Sequence, residues 1–296
     1  MDYVIVLNKD DDTASFIDEA KRVVVKVVKV DKNPHEVAVT GDGRKAFVSN
    51  AGGDTISVFD MNTLDIIDTI RHPEFRFPHE AKVTKDGRLI LASTYAHKVF
   101  IIDTNSHAVT NVIPAQRMSH MVALNPDSTL AYISNIGANS YSILDTATEE
   151  WIAHYPVGRS PEGIAVSPDG EWVYVANQDD NLVYIIDTTT HSLQARILTS
   201  HVPIRVAFSP DSRYAFVPNR LGDCVSVIDT ERKLEIKRIP TGFWPGGTVF
   251  NAAGDYAYVA NNKTNDVSVI NVATLKVEMT IDVGIHPDGM AFCRVS

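Results

Sequence analysis

The sequence predicts an all-β chain, a seven-bladed β-propeller with four antiparallel strands to each blade, occupying residues 1–296 as a single domain. Three observations predict it. A proline-led motif recurs at near-constant spacing, each copy carries short runs in which apolar and polar residues alternate, and the two chain ends supply complementary parts of one copy.

The motif is plainest in Pro34-His35-Glu36-Val37-Ala38-Val39, Pro161-Glu162-Gly163-Ile164-Ala165-Val166 and Pro287-Asp288-Gly289-Met290-Ala291-Phe292. Weaker copies begin at Pro78, Ser119, Pro203 and Pro245, so successive copies are separated by 44, 41, 42, 42, 42 and 42 residues. From the N-terminus, residues 3–8 read as a second strand, 14–18 as a third and 23–30 as a fourth. Their first strand comes from residues 289–295 at the other terminus, and the stitched blade leaves no free sheet edge at the seam.

In the other copies the motif strand passes through a tight turn, such as Asp42-Gly43, Asp86-Gly87 or Asp169-Gly170, into a second strand ending in Asn, as in Tyr174-Val175-Ala176-Asn177. A polar loop leads to a third strand ending in Asp, as in Val183-Tyr184-Ile185-Ile186-Asp187, and a Thr/Asn turn leads to the fourth, for example residues 64–70 or 234–239. The strand-ending Asp18, Asp60, Asp103, Asp145, Asp187 and Asp229, with Asn271 in the remaining copy, suit Asx turns that accept the next backbone N–H groups. Asn8, Asn50, Asn135, Asn177, Asn219 and Asn261 are expected to tie down the following loop, a series that Thr94 interrupts.

These motifs resemble the YVTN family of seven-bladed propellers, and the resemblance covers essentially the whole chain. It implies the propeller fold. Relatives of the repeat include haem d1 domains of nitrite reductases, lactonases and quinohaemoprotein dehydrogenase subunits, so the resemblance leaves the activity open. There is no Cys-x-x-Cys-His for covalent haem.

Composition removes other classes. With 27 basic against 37 acidic side chains, net −10, the chain is a poor match for nucleic acid, whose phosphates require Lys and Arg. No run approaches the roughly 20 apolar residues of a membrane span. Cys224 and Cys293 are too few for a disulfide framework and read as packing residues. The acidic start, Met1-Asp2-Tyr3, leads to the expectation of a cytoplasmic protein, or one exported with its leader removed. Phosphate-binding and dinucleotide glycine patterns and the Gly-x-Ser-x-Gly elbow are missing, so no nucleotide cofactor is expected. Asp10-Asp11-Asp12 lacks the glycine and distal glutamate of a calcium loop and reads as a solvated hairpin.

The first strand of each blade should line the central channel. The residue after each motif's first position then forms one ring, His35, His79, His120, Glu162, Ile204, Gly246 and Asp288, and the next position forms another, Glu36, Glu80, Met121, Gly163, Arg205, Gly247 and Gly289. Charges stand where the repeat otherwise prefers glycine. Two readings follow. In one, His35, His79, His120 and Glu162 hold a divalent metal, with Glu36 and Glu80 orienting the imidazoles; in the other they are hydrated channel residues. The loops of the same face carry a second constellation, Arg76, Arg117, Arg159, Arg205, Arg220 and His72 for an anion, with Phe75, Phe77, Tyr95, Phe243 and Trp244 as apolar walls.

The function expected is a site for a small anionic, partly apolar or aromatic molecule, with metal-assisted or His/Glu acid–base chemistry of a lyase, hydrolase or isomerase, in which His79, Glu162, Glu80 and Glu36 are the catalytic candidates. The alternative is a non-catalytic propeller that presents a rigid disc to a protein partner or a tetrapyrrole.

Overall fold

Each copy of the repeat folds as a four-stranded antiparallel sheet, and seven such sheets surround one axis in the computed structural model, which describes residues 1–295. Blade one runs through Pro34–Val39, Lys45–Asn50, Thr55–Asp60 and Asp65–Arg71. The closing blade pairs Pro287–Arg294 with Asp2–Asn8, then adds Thr13–Asp18 and Val23–Lys29, as the termini required. No helix among the described residues is long and apolar enough to cross a membrane.

The strand patterns follow from position. Middle strands are covered by neighbouring blades on both faces, so Val4, Ile5, Val6 and Leu7 are all fully buried. The outermost strand of the same blade alternates along Val23–Lys29 between exposed and half-buried residues, because only one face meets another blade. The core is therefore a series of layers between blades, such as Phe47, Val58, Phe75, Leu91 and Phe100 between blades one and two.

The recurrent polar residues close turns. Oδ1 of Asp60 accepts the N–H of Asn62 at 2.8 Å, and Asp103, Asp187 and Asn271 repeat the arrangement with Ser106, Thr190 and Thr274. Asn50 donates from Nδ2 to Ser57 Oγ at 2.9 Å on the next strand, and Asn8, Asn135, Asn219 and Asn261 do the same with Ser15, Ser142, Ser226 and Ser268. Blade two departs one residue earlier than expected: Ser93 pairs opposite Lys98 at the asparagine's place, and Thr94 belongs to the next position.

A further periodic feature joins the blades. The residue before each motif, Asn33, Phe77, Met118, Ser160, Val202, Trp244 and His286, has a left-handed backbone, φ between +50° and +60°. Each is held by its N–H. Asp12 Oδ1 accepts from Asn33 at 2.8 Å, Asp54 from Phe77 at 2.7 Å, His97 Nδ1 from Met118 at 3.0 Å, Asn139 from Ser160 at 2.9 Å, Asn181 from Val202 at 2.8 Å, Asp223 from Trp244 at 3.1 Å and Asn265 from His286 at 3.0 Å. Every blade thus clasps the entry of the next. The expected solvated hairpin at Asp10-Asp11-Asp12 is corrected accordingly: besides Asp12, Asp11 accepts the N–H of Ile285 at 2.6 Å and Asp10 bonds His286 Nδ1 at 2.5 Å, so all three carboxylates bind neighbouring loops.

Asp54→Ala should cost about 1–2 kcal/mol, since it leaves a strained Phe77 N–H without its acceptor, whereas Asp54→Asn should be near neutral, as blades three and four use Asn there. Urea unfolding at neutral pH checks this; superimposable curves for wild type and Asp54→Ala would show that the clasp contributes nothing.

Glycine at the second ring is explained by crowding. A Cβ on Gly163 would lie 2.7 Å from Arg205 Cα, and one on Gly289 would lie 1.9 Å from His35 O, because the next inner strand crosses against them. Blade five differs from expectation. Its inner strand is reduced to Ala207–Phe208 with an isolated bridge from Pro203 to Asn219, and Arg205 crosses the channel to Glu36.

Candidate functional site at the channel mouth

Three positions of every repeat meet at one end of the channel: the left-handed residue before the motif on the rim, the residue after the motif's first position just inside it, and the residue following the second-strand Asn, which reaches in from the loop. The last series is Lys9, Ala51, Thr94, Ile136, Gln178, Arg220 and Asn262. Blades one to three contribute apolar and hydroxyl groups there, and blades four to seven contribute polar or cationic ones. The mouth has two unlike halves.

The half formed by blades one to three is a run of ring faces. Phe77 stands 4.8 Å from Tyr95, 5.0 Å from His35 and 6.0 Å from His79, which it stacks against. His79 lies 5.1 Å from His35 and stacks on His120 at 3.7 Å. Tyr95 is exposed and His79 is buried, so the run leads from solvent inward. Burial pushes His35 down to about 4 and His79 well below the usual imidazole range, so both are neutral at neutral pH. Nδ1 of His35 lies 3.1 Å from the Asn33 carbonyl, which can only accept; Nδ1 therefore carries the proton and Nε2 the lone pair. Thr94 Oγ1 holds His120 Nδ1 at 3.0 Å, and His120 Nε2 faces Glu162 Oε1 at 3.5 Å.

The opposite half is charged. Arg205 spans the channel from blade five, donating to Glu36 of blade one at 2.5 Å and to Glu162 of blade four at 3.1 Å. Gln178 donates to the other Glu162 oxygen at 3.2 Å, Arg220 stands 3.9 Å from Glu162, and Lys9 pairs with Asp288 at 2.7 Å. Beneath this strap, Glu80 pairs with Lys82 at 2.6 Å, and a cavity of about 320 Å³ lined by Glu36, Glu80, Lys82, Met121, Arg205 and Met290 occupies the lower channel. A larger cavity of about 610 Å³ lies on the opposite face between turns that include Arg44 and Lys85, away from the converging buried groups.

Burial would raise Glu162, but His120, Arg205 and Arg220 outweigh it and hold its carboxyl well below the usual carboxylate range. Asp288 is also driven down: Lys9 and Arg205 overcome its burial. Glu36 goes the other way. Burial, with Glu80 and Asp288 adding to it against Arg205, pushes it up to about 8. At neutral pH the mouth thus holds ionised Glu162 and Asp288 and a largely protonated Glu36, an environment-driven separation of acid and base forms.

Because the folded pKa of Glu36 lies above its unfolded value of about 4.5, its contribution to stability is complete below that pH and is lost as pH rises through about 8. Glu36→Gln should therefore gain stability relative to wild type between about pH 5 and about pH 8. Urea midpoints at the two pH values measure it; parallel behaviour of the two proteins would mean that another group titrates.

The expected ring residues are brought together: His35, His79, His120 and Glu162 are neighbours, with Glu36 and Arg205 directly below. Among the described residues no group of three or more His, Cys, Asp or Glu side chains is placed to hold a metal ion. The reason is visible in the partners. His79 and His120 lie face to face, His35 Nδ1 is turned to a carbonyl, and Glu162 is engaged by Arg205.

The loop constellation is largely dispersed. Arg76 bonds the carbonyls of Pro73 and Phe75, Arg117 the carbonyl of Gly137 at 2.7 Å, and Arg159 the Asp180 carboxylate at 2.6 Å. His72 packs on Phe75 and Phe100, and Phe75 is fully buried between blades, so neither borders the mouth. Phe243 and Trp244 remain exposed, with Lys263 over the Trp244 ring at 4.8 Å. Of the six residues expected to bind an anion, Arg205 and Arg220 contact the ring carboxylates. Cys224 and Cys293 are buried and unpaired with each other.

Lys9, Lys82, Thr94 and Gln178 were not anticipated. Lys82 had a signal: it stands in a column otherwise made of Ala38, Ala123, Ala165, Ala207, Val249 and Ala291. Lys9 and Gln178 become visible once the residue after the second-strand Asn is aligned.

Fold and mouth together define a seven-bladed repeat propeller with a polar channel entrance, and the resemblance to YVTN-type propellers holds. A YNCE-like β-propeller model matches residues 2–130, and a model of the seven-bladed lactonase β-propeller matches residues 105–204. No curated protein matches the sequence. Among solved structures, hydrazine synthase of Kuenenia stuttgartiensis is similar at 21% identity and TM-score 0.82, over 90% of this chain and 91% of that one. Dihydro-haem d1 dehydrogenase NirN in complex with DHE is similar at 15% identity and TM-score 0.74, over 98% of this chain and 74% of that one. A candidate 6-phosphogluconolactonase of Bacteroides fragilis is similar at 16% identity and TM-score 0.82, over 99% and 98%. At these identities the likeness establishes the fold alone.

Proposed function

We propose that the channel mouth binds a small anionic molecule with an apolar portion and that its chemistry is hydrolytic, opening a lactone or ester. The observation that carries this reading is the division of one mouth into a wall of neutral rings and a facing set of carboxylates and cations. Ester hydrolysis needs a base for water, positive charge near the developing oxyanion and room for a carboxylate product. His35 Nε2 is the base. Arg220 supplies the positive charge, while Glu162 and Thr94 orient His120. Water oxygen bonds to the acyl carbon, the acyl C–O bond breaks, and the departing alkoxide takes up the proton that the imidazole removed. The partial match to the lactonase propeller model supports the hydrolytic version.

A pH-stat assay over a lactone panel tests it. Wild type should turn over at least one lactone, His35→Gln should lose about 10²-fold in kcat with an unchanged melting temperature, and Arg220→Gln should mainly raise KM. A wild-type protein that opens no lactone and binds no carboxylate in calorimetry would overturn the reading.

A second reading, a binding propeller for a flat tetrapyrrole, is favoured by the exposed rim aromatics Tyr95, Phe243 and Trp244; the solved relative in complex with DHE shares the fold. A haem titration followed in the Soret region separates the two, since no spectral shift leaves the small-anion site alone.

A further inference from the structure

We infer that the molecule held at the mouth is an aromatic or conjugated monocarboxylate, with its ring against Phe77 and Tyr95 and its carboxylate at Arg220; this rests on the reading of the mouth as a small-anion site. The wall of blades one to three offers faces and few free hydrogen-bonding atoms. Phe77 lies within 5.0 Å of both Tyr95 and His35; of the ring nitrogens, His35 Nδ1 is engaged by Asn33 and His120 Nδ1 by Thr94, His79 Nδ1 is buried without a partner, and His35 Nε2 is left open. A polyhydroxylated sugar would have to leave its hydroxyls against that wall without partners, which costs free energy for every group desolvated. A planar ring meets no such cost and gains offset or edge-to-face contact.

The charges select for a single negative group. Arg205 is bound to Glu36 and Glu162, Lys9 to Asp288 and Lys82 to Glu80. Arg220 is different: its nearest carboxylate is 3.9 Å away and its side chain is 31% exposed, with no side-chain hydrogen bond to it among the described residues. A guanidinium that keeps all its N–H donors while pairing with Glu162 only at 3.9 Å fits one carboxylate, bidentate. A phosphate dianion would face Glu162 and Asp288 with half of its charge uncompensated.

Phe77 shares the left-handed backbone of all seven rim positions, φ +58°, a conformation that a bulky residue adopts only under constraint. Asp54 holds it there and turns its ring over His35 and His79.

Calorimetry with benzoate, trans-cinnamate, butyrate and 6-phosphogluconate tests the inference on the wild type, Phe77→Asn and Arg220→Gln. Asn33 already occupies the equivalent left-handed position in blade one, so Phe77→Asn keeps the fold while removing the ring. The aromatic acids should bind about tenfold more tightly than butyrate, and phosphogluconate more weakly than either. Phe77→Asn should erase the aromatic preference and leave butyrate affinity alone, and Arg220→Gln should weaken every carboxylate. Equal affinities for butyrate and benzoate, or tightest binding of phosphogluconate, would overturn the inference and leave the anion site standing. Binding of none of the four at millimolar concentration would overturn both.

Discussion

Arg205→Met is expected to destabilise the protein by about 3–5 kcal/mol at neutral pH, because it removes the cation that pairs with buried, ionised Glu162 and bonds Glu36 across the channel. Glu36, Arg205 and Glu162 are each at least 93% buried, so water cannot replace the lost partner without opening the channel. The loss should shrink in acid. Without Arg205 the Glu162 carboxyl has a folded pKa nearer to or above its unfolded one, so the variant recovers relative to wild type as pH falls and the group accepts a proton. Adding Glu162→Gln should restore much of the stability by removing the stranded charge, since Glu36 without Arg205 keeps its proton. Guanidinium unfolding across pH measures all three effects. A single Arg205→Met variant as stable as wild type at neutral pH would mean that the strap is not holding the channel.

Gly289→Ala is the second large effect, about 3 kcal/mol or more. The new methyl carbon would stand 1.9 Å from His35 O and 2.8 Å from Glu36 Cα, both backbone atoms that no rotamer change can move. The strand Pro287–Arg294 also closes the propeller, so its displacement acts on the seam and on the ion pair of Glu36 with Arg205 at once. Gly41→Ala is the control: nothing lies within 4 Å of its added carbon, and it should change stability by under about 0.5 kcal/mol. Thermal melting of the pair is a direct comparison, and equal melting temperatures would show that the inner strands have slack that the close approach conceals.

Much of the mouth was legible before any coordinates. The ring of His35, His79, His120, Glu162 and Asp288 follows from aligning one position of a repeat, because a closed propeller brings equivalent positions to one axis whatever their distance along the chain. That the imidazoles would stack on one another and that most of the loop arginines would disperse was not legible, for a common reason. Whether His79 offers a lone pair or a face depends on a rotation that packing sets, and an exposed Arg such as Arg76, Arg117 or Arg159 bonds the nearest carbonyl or carboxylate of its own or a neighbouring loop. The seven clasps were periodic in the sequence yet hidden, since Asp, Asn and His perform one task and composition alone does not show that their acceptors are equivalent.

The sequence by itself determined the number of blades, their register, the stitched closing blade and the ring of residues at the axis, all consequences of a period near 42 residues and of strands that alternate. Only the tertiary structure decided which of those residues are partners. Arg205 could have met any of several carboxylates around the channel; the packed backbone brought it to Glu36 and Glu162 and left Arg220 with a 3.9 Å ion pair, because each buried charge is satisfied by whichever opposite charge lies within reach.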